Sequence, residues 1–274
     1  MGNSHLSAFS LSDQEFAKFQ ALLFDIAGIH LAPAKKTMLA GRLQRRIRAY
    51  SLASYGDYFR LLQQQEAELQ IAVDLLTTNE TYFFREPKHF EFLQKQILSS
   101  HPDGQRFRIW SAACSSGEEA YSLAMLMSEH AARGCSWEIV ASDISVRMLE
   151  AAARGIYPLH RAELIPQDYK QKYCLRGIDE QEGKLRVEQA LREQVRFRQI
   201  NLNHALPGDL GRFDLVLLRN VMIYFPLATK RDVVQRIVKQ MQPGAHLFIG
   251  HSETLHGFES GLQLIQPSIY QKPA

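Results

Sequence analysis

The sequence predicts an α/β protein in which a small all-helical domain precedes a larger domain of alternating strands and helices. Residues 10–98 repeat apolar side chains every three or four positions, which is the period of an α-helix. After the turn sequence at 101–104, short apolar runs alternate with helical segments, a pattern typical of a mostly parallel sheet covered by helices on both faces. We therefore expect domains at 10–99 and 100–274.

The composition is that of an ordinary globular protein. The 274 residues are enough for one large or two modest cores, 46% of them are hydrophobic, and the net charge is +3. The three cysteines share no spacing typical of a zinc site or a disulfide framework. No apolar run approaches the roughly 18 residues that span a bilayer. We expect a cytoplasmic protein with no bound metal, no nucleic-acid partner and no membrane insertion.

The helical domain opens with a recognisable helix start. Ser12 and Glu15 have the spacing of a capping box, and Gly28 is suited to end the helix. Pro33 opens a second helix, and residues 35–50 of this helix are rich in basic side chains. Those that cluster on one flank are Lys35, Arg42, Arg45 and Arg46. Further helices are predicted at about 54–65, 67–77 and 87–99.

The second domain follows a strand–helix alternation that is interrupted once. Residues 155–194 break the pattern, and their flanks can pair across a glycine-containing loop. We expect a small antiparallel β subdomain inserted there. The core strands are predicted near 106–112, 138–142, 195–200, 213–218 and 246–250, with a last pair near 263–271.

The loop after the first of these strands indicates the kind of ligand. In residues 106–121 an apolar strand passes through small side chains, beginning at Ala112, into a helix with Glu118 and Glu119 in its first turn. This is the start of a nucleotide-cofactor unit, but its single glycine does not support the pyrophosphate cradle of a dinucleotide fold. The paired acids would repel phosphate and attract an ammonium or sulfonium group. Acids at a helix start also simply match the helix dipole.

Polar residues stand at the ends of three other core strands. Asp143 ends the second strand, Asn201 follows the third, and Arg219 and Asn220 follow the fourth. Open α/β sheets bind ligands at the carboxyl ends of their strands, and an acid after the second strand can hold a ribose diol. Asp143 is also well placed to cap the helix that begins near Ser145, although the small-residue loop upstream favours the ribose role.

The run TTNETYFFREP at 77–87 interrupts the helical pattern of the first domain. Its polar residues favour caps and turns over helix interiors. It is either a solvated turn before an aromatic core contact, or a segment that covers the cofactor with Arg85 reaching an anionic group. The residues alone do not separate the two interpretations.

Taken together, six runs resemble the chemotaxis receptor methyltransferases of the CheR type. They occur in that family's order and spacing over residues from about 10 to 271, and NxTxFFR and SAAxSxGEE are specific to the family. The resemblance implies a small helical domain followed by a class I S-adenosylmethionine-dependent methyltransferase (Rossmann-like) domain with an inserted antiparallel subdomain. The runs are TTNETYFFRE, WSAACSSGEEAYS, ASDIS, RFRQINL, FDLVLLRNVMIYF and LFIGHSE.

The resemblance also implies an activity and a set of site residues. The reaction would move a methyl group from S-adenosylmethionine to glutamate carboxylates of chemoreceptors, giving methyl esters and S-adenosylhomocysteine, in chemotaxis adaptation. Arg85 and Tyr224 would be catalytic and face the transferred methyl, and Glu119 rather than Glu118 would contact the cofactor. The implied cofactor contacts are Asn79, Thr81, Arg85, Glu119, Asp143, Asn201, Leu202, Arg219 and Asn220, and Ala112 of the small-residue loop completes the predicted set.

Two surfaces bear on the partner. The basic helix at 35–50 is either a solvated face or, as the resemblance favours, a docking surface for the acidic helical region of a chemoreceptor. The predicted hairpin near 177–190 can add a strand contributed by a receptor C-terminal tail.

Four other functions compete with this interpretation of the sequence. A nicotinamide oxidoreductase would need the glycine-rich loop that this sequence lacks. An esterase would need the nucleophile-elbow motif GxSxG, but after GHSE at 250–253 the final glycine is replaced by Thr254. Cys114 as a nucleophile lacks an indicated histidine partner. A signalling module that binds the cofactor or its product without methyl transfer is the main alternative from another class.

Overall fold

The computed structural model describes residues 10–132 and 134–274 of the chain. The chain divides into two compact units, one ending at Thr78 and the other running from Asn79 to Ala274. The division therefore falls about twenty residues before the predicted boundary at 99/100. Among the described residues, none of the helices has both the length and the apolar character needed to cross a membrane.

The first unit contains α-helices whose starts follow the predicted signals. Ser12 caps the first helix in a full capping box with Glu15, and Gly28 ends it in the left-handed conformation. Pro33 opens a short 3₁₀ turn that leads into the second helix. The helices are α1 (Asp13–Ala27), α2 (Lys36–Ala49), α3 (Tyr55–Leu62) and α4 (Glu66–Leu76).

A buried carboxylate ties three of these helices together. Glu68 of α4 is 1% exposed and accepts hydrogen bonds from Tyr58 Oη of α3 at 2.7 Å and from Arg46 Nε of α2 at 2.8 Å. Tyr50, just after α2, donates a further bond at 3.1 Å. Arg42 Nη1 bonds the carbonyls that end α4, including that of Thr77 at 3.0 Å. Two of the four clustered basic side chains, Arg42 and Arg46 of α2, therefore hold the unit together.

The second unit combines a seven-stranded sheet with a small three-stranded sheet. The strands are β1 (Phe107–Ser111), β2 (Trp137–Asp143), β3 (Ile156–Pro158), β4 (Cys174–Arg176), β5 (Lys184–Val187), β6 (Val195–Gln199), β7 (Phe213–Leu218), β8 (Met241–Ile249), β9 (Gln263–Gln266) and β10 (Ile269–Gln271). The helices are α5 (Pro87–Phe92), α6 (Glu118–His130), α7 (Val146–Arg154), α8 (Gln167–Tyr173), α9 (Gln189–Arg192) and α10 (Leu227–Lys239).

The large sheet has the strand order β6-β2-β1-β7-β8-β10-β9. Its first five strands in that order are parallel to one another, and β10 pairs antiparallel with β8 and β9. From β1 the chain builds outward through β2 to β6, then returns to place β7 on the other side of β1. This reversal makes the carboxyl ends of β1 and β7 the topological switch point, where such sheets bind ligands. The predicted fold class is confirmed.

The segment predicted as an inserted β subdomain contains the small sheet. The central strand β5 pairs antiparallel with β3 on one side and with β4 on the other. The predicted hairpin corresponds to β4 and β5. The third strand, β3, was not predicted, because strands of three residues carry too little periodicity to be recognised. Helix α8 was not predicted either.

The aromatic run before α5 explains where the units divide. Phe83 and Phe84 are buried in the same core as Ile109 of β1 and Ile139 of β2. Phe83 packs edge to face against Tyr157 at 4.9 Å between ring centroids. The segment from Asn79 onward therefore belongs to the sheet-containing unit, although its sequence continues a helical region.

Candidate active site

The loop between β1 and α6 approaches the sheet closely. Ala112 N donates to the Leu217 carbonyl of β7 at 2.9 Å, so the loop leaves β1 still bonded to its neighbour. Gly117, at the start of α6, has φ of +94°, and a Cβ there would lie 2.7 Å from the Cβ of Ala152. Only glycine satisfies both conditions. The one glycine of the loop thus serves packing and the turn.

Asp143 joins this loop to the end of β2. One carboxylate oxygen accepts from Ser115 N at 2.8 Å, and the other accepts from Ser145 N at 2.9 Å. The cap of α7 is Ser145, whose side chain accepts from Met148 N. Asp143 is therefore not the N-cap residue of that helix, which was the alternative left open by the sequence.

Two further predicted residues lie beside Asp143. Ser115 Oγ donates to the Asn79 carbonyl at 3.2 Å. Ile200 N donates to the Asp143 carbonyl at 3.1 Å, which brings Asn201 next to the end of β2. The Leu202 carbonyl accepts from Arg236 Nη2 of α10 at 2.8 Å, so the turn after β6 is fixed from a second side.

A second group of predicted residues surrounds Arg219, just after β7. Its side chain is 2% exposed, and Nη1 lies 3.0 Å from Glu119 Oε2. The other Glu119 oxygen accepts from Ser111 Oγ at 2.6 Å. Burial raises the pKa of Glu119, and the Arg219 charge and the Ser111 hydroxyl offset that rise only in part.

Glu86 is the second acid on Arg219, and sequence reasoning did not assign it a role. Its Oε2 accepts from Arg219 Nη2 at 3.1 Å, and its Oε1 accepts from His251 N at 3.1 Å. The Asn220 side chain adds a bond at 3.3 Å. Burial raises the pKa of Glu86, but the Arg219 charge and the His251 amide outweigh it, so the pKa is lowered. Glu86 therefore stays ionised.

Glu253 was also missed, and it positions Asn220. Its carboxylate accepts the backbone N–H groups of Gly250 at 2.7 Å, Asn220 at 2.9 Å and Ile223 at 3.2 Å. A Cβ on Gly250 would lie 2.5 Å from Asn220 Nδ2. GHSE at 250–253 is therefore a backbone clamp on the turn after β7, which its partial likeness to a nucleophile elbow did not indicate.

The two acids at the start of α6 have different surroundings. Glu118 is fully buried, accepts from Ser116 Oγ at 2.7 Å, and pairs with Arg161 of the inserted segment at 2.8 Å. Burial raises its pKa despite these partners. Glu119 instead joins the Arg219 group, at the carboxyl end of the sheet.

The remaining predicted residues are less tightly connected. The Arg85 carbonyl accepts from Arg219, whereas the Arg85 guanidinium donates to the Glu80 carbonyl at 2.8 Å and lies 5.6 Å from the ring centroid of Tyr82. Thr81 and Tyr224 are half-buried. Tyr224 lies in the 3₁₀ turn after β7. Within the described chain, no hydrogen bond or ion pair joins the side chain of Thr81 or Tyr224 to the Arg219 group.

The donor set fits S-adenosylmethionine. That molecule carries a sulfonium, an ammonium, a carboxylate and a ribose diol, but no phosphate. The site supplies the Glu119 carboxylate and the Arg219 guanidinium, and Asp143 lies at the carboxyl end of β2, the strand end at which such folds bind a ribose. Sheet order and site together define a class I S-adenosylmethionine-dependent methyltransferase.

Comparison with known proteins gives the family. The family model described as CheR methyltransferase, SAM binding domain matches residues 79–270, and the CheR methyltransferase, all-alpha domain matches residues 14–77. The chain belongs to the CheR methyltransferase family. The two matches meet where the two compact units divide.

Curated relatives agree over most of their length. The chemotaxis protein methyltransferase of Salmonella typhimurium is 38% identical, with 95% of this chain and 91% of the relative covered. Chemotaxis protein methyltransferase 2 of Pseudomonas aeruginosa is 40% identical, with 89% and 88% covered. The chemotaxis protein methyltransferase of Escherichia coli is 38% identical, with 95% and 91% covered.

Proposed function

We propose that this protein transfers a methyl group from S-adenosylmethionine to glutamate side chains of chemoreceptors in the cytoplasm, as part of chemotaxis adaptation. The products are glutamate methyl esters and S-adenosylhomocysteine. The observation that carries the proposal is the match of both domains to one methyltransferase family whose curated members are chemotaxis proteins. The acid-rich site, whose loop lacks the glycines of a phosphate cradle, supports it independently.

The reaction makes modest demands on acid–base chemistry. A glutamate with a pKa of about 4.3 is already ionised at neutral pH, so no strong general base is required. S-adenosylmethionine supplies an activated methyl group on a sulfonium. The protein must align the carboxylate for in-line attack at about 3 to 3.5 Å, and must remove the water that occupies its lone pairs.

We assign the orienting role to Arg85 and Tyr224. The Arg85 guanidinium is half-exposed and contacts a carbonyl and an aromatic ring, so it can turn to a carboxylate without breaking an ion pair. It is expected to hold one oxygen of the substrate, because a bidentate grip would quench the nucleophile. Tyr224 is expected to donate one hydrogen bond or to brace the methyl group.

Cofactor binding is assigned to the residues around Asp143 and Arg219. Glu119 and Arg219 are proposed to hold the methionine end, with Asn220 beside them, and Asp143 the ribose. Asn201 and Leu202 are proposed to border the adenine, and Asn79, Thr81 and Ala112 to complete the site. The convergence of backbone and side-chain bonds on Ser115, Asp143 and Arg219 supports this assignment.

We further propose that α2 docks on the acidic helical region of a chemoreceptor. Arg42 and Arg46 are occupied by carbonyls of α4 and by Glu68. The exposed basic side chains available for a partner are therefore Lys35, Arg45 and Arg48. Charges of this kind accelerate association with an acidic surface more than they raise intrinsic affinity.

A receptor C-terminal tail is proposed to add a strand at β4. Gly177 N bonds the Lys184 carbonyl and Glu188 N bonds the Tyr173 carbonyl, so by alternation the peptide groups of Cys174 and Arg176 point away from β5. Leu175 and Ile178 beside this edge are 50% and 74% exposed. The opposite edge strand, β3, ends in a proline, which offers no N–H to an added strand.

Labelled methyl transfer tests the function. Protein, methyl-labelled S-adenosylmethionine and receptor-containing membranes should give labelled receptor that releases methanol at alkaline pH, because carboxyl esters hydrolyse there. Label that resists alkali would indicate another acceptor. Binding of S-adenosylmethionine without any labelled receptor would favour the non-catalytic signalling module. Membranes from cells without chemoreceptors serve as the control.

A further inference from the structure

Beside the Arg219 group lies a cluster of side chains to which the methyl-transfer proposal gives no part. Glu86, His89 and His251 each offer one atom, and these atoms lie within 4.8 Å of one another. His89 Nδ1 is 3.4 Å from Glu86 Oε2, and His251 Nε2 is 4.0 Å from the same oxygen. The side chain of His89 is 2% exposed and that of His251 is 49% exposed, so the cluster runs from the core to the surface.

The hydrogen bonds around His89 indicate which ring nitrogen carries the proton. Ser268 Oγ donates its only hydrogen to the Pro267 carbonyl at 2.6 Å. The same oxygen lies 2.8 Å from His89 Nε2, so it accepts from an Nε2–H group. In the neutral ring Nδ1 then carries a lone pair.

That lone pair is left unsatisfied. His89 Nδ1 is buried and has no hydrogen-bond partner among the residues that the structure describes. Glu86 Oε2 lies 3.4 Å from it, and a carboxylate oxygen is also an acceptor. Two acceptors this close in a buried position favour a cation between them.

We propose that Glu86, His89 and His251 bind a divalent transition-metal ion of the Zn²⁺ class. Two imidazoles and a carboxylate suit such ions better than Mg²⁺ or Ca²⁺, which prefer oxygen. Bonds of about 2.0 to 2.1 Å in a tetrahedral site put ligand atoms about 3.3 Å apart. The His89–Glu86 separation already matches, and the half-exposed His251 has to close gaps of up to about 1.5 Å, from the 4.8 Å limit to about 3.3 Å.

The surroundings of the cluster agree with this site. A metal-bound histidine almost always donates its other ring N–H to an oxygen, as His89 does to Ser268. The ion would share Glu86 with Arg219, whose charge is balanced by Glu119 as well. Three protein ligands leave one position for water or another small ligand.

Titration with Co²⁺ tests the site. Full-length protein prepared without a polyhistidine tag and stripped by chelation should bind one equivalent, with tetrahedral visible absorption that Zn²⁺ abolishes. His251→Ala should weaken binding at least tenfold, and Ser268→Ala, which frees the His89 ring, should weaken it about tenfold. His256→Ala, an exposed histidine five residues from His251, should bind as the unaltered protein does.

Two results would overturn the proposal. One is the absence of saturable Co²⁺ binding in protein that is folded by circular dichroism. The other is equal affinity in the His251→Ala and His256→Ala variants, which would mean that the ion binds elsewhere. His251 is the primary variant because it is half-exposed, whereas loss of the buried His89 is expected to disturb folding.

Discussion

Single residues in this protein divide into those that hold the site and those that remain available to a substrate. Arg219 belongs to the first group, because its buried guanidinium balances Glu119 and Glu86. Arg85 belongs to the second, because its guanidinium contacts a carbonyl and a ring rather than an acid. Variants of the two groups should therefore differ in which kinetic constant they change.

Arg85→Ala and Tyr224→Phe are expected to lower turnover more than cofactor affinity. Loss of the orienting cation should cost about 100-fold in turnover. Loss of one hydroxyl hydrogen bond should cost about tenfold. Turnover is measured by labelled methyl transfer, and affinity by calorimetry with S-adenosylhomocysteine. Arg106→Ala, which removes an exposed pair with Glu138 before β1, is the matched control. Unchanged turnover with weaker cofactor binding would contradict the assignment.

Glu68→Gln should destabilise the helical unit in a pH-dependent way. Burial raises the pKa of Glu68, but the bonds from Arg46, Tyr58 and Tyr50 outweigh it, so the folded-state pKa lies below the ordinary value of 4.5. The ionised carboxylate therefore stabilises the fold fully above about pH 4.5, and this stabilisation is lost as the pH falls through the folded-state pKa. We expect the substitution to lower the free energy of unfolding by about 2 kcal/mol at pH 7.

Urea unfolding at pH 7 and pH 3 measures this difference. The difference in free energy of unfolding between Glu68→Gln and the unaltered protein should be smaller at pH 3 than at pH 7. Glu66→Gln, at an exposed acid in the first turn of the same helix, should change stability little at either pH. A gap that stays constant with pH would mean that the substitution acts through packing rather than charge.

At the scale of elements, α2 has a structural role and a proposed docking role, which its sequence does not separate. The double variant Lys35→Glu/Arg45→Glu removes exposed charge and leaves the bonds of Arg42 and Arg46 in place. It should lower kcat/KM for the receptor about tenfold at low ionic strength, and salt should shrink the difference by screening. Lys239→Glu, on the last turn of α10, is the control. A rate that does not respond to salt would count against docking by this helix.

The outer edge of β4 makes a separate prediction. Arg176→Pro removes an N–H that points away from β5, so the strand should remain paired while the added strand loses a bond. Binding of a labelled receptor-tail peptide, followed by fluorescence anisotropy, should weaken at least tenfold with Arg176→Pro and little with Arg176→Ala. Equal effects would assign the loss to the side chain and not to strand addition.

For the whole molecule, the proposed cofactor residues all belong to the unit from Asn79 to Ala274. S-adenosylhomocysteine should therefore slow hydrogen exchange in peptides from the loop at 112–119 and the ends of β2, β6 and β7. Peptides of α1 to α4 should be unaffected. Protection spread evenly over both units would show that the helical unit takes part in cofactor binding.

The sequence was informative where a signal is local or where a motif is specific. The Ser12–Glu15 capping box and the predicted core strands of the sheet are short-range patterns, and the structure has them. The boundary at 78/79 was not readable, because the run after Thr78 stands between two helical stretches, and only the core against which its aromatic side chains pack assigns it to the second unit. Glu86 and Glu253 were missed for the same reason, since their partners lie more than 130 and up to 33 positions away.

By itself, the sequence determined the fold class through periodicity and indicated a cationic ligand through a glycine-poor loop and paired acids. Its six motif runs added the resemblance to one family. All of these are properties of neighbouring residues. Only the tertiary structure decided how the charges are shared. Glu119 pairs with Arg219, whereas Glu118 pairs with Arg161. Arg42 and Arg46 bond to groups of α4 within the helical unit. Glu86, His89 and His251 come together in one cluster. Charge pairing depends on distance and burial, and both are set by folding rather than by position along the chain.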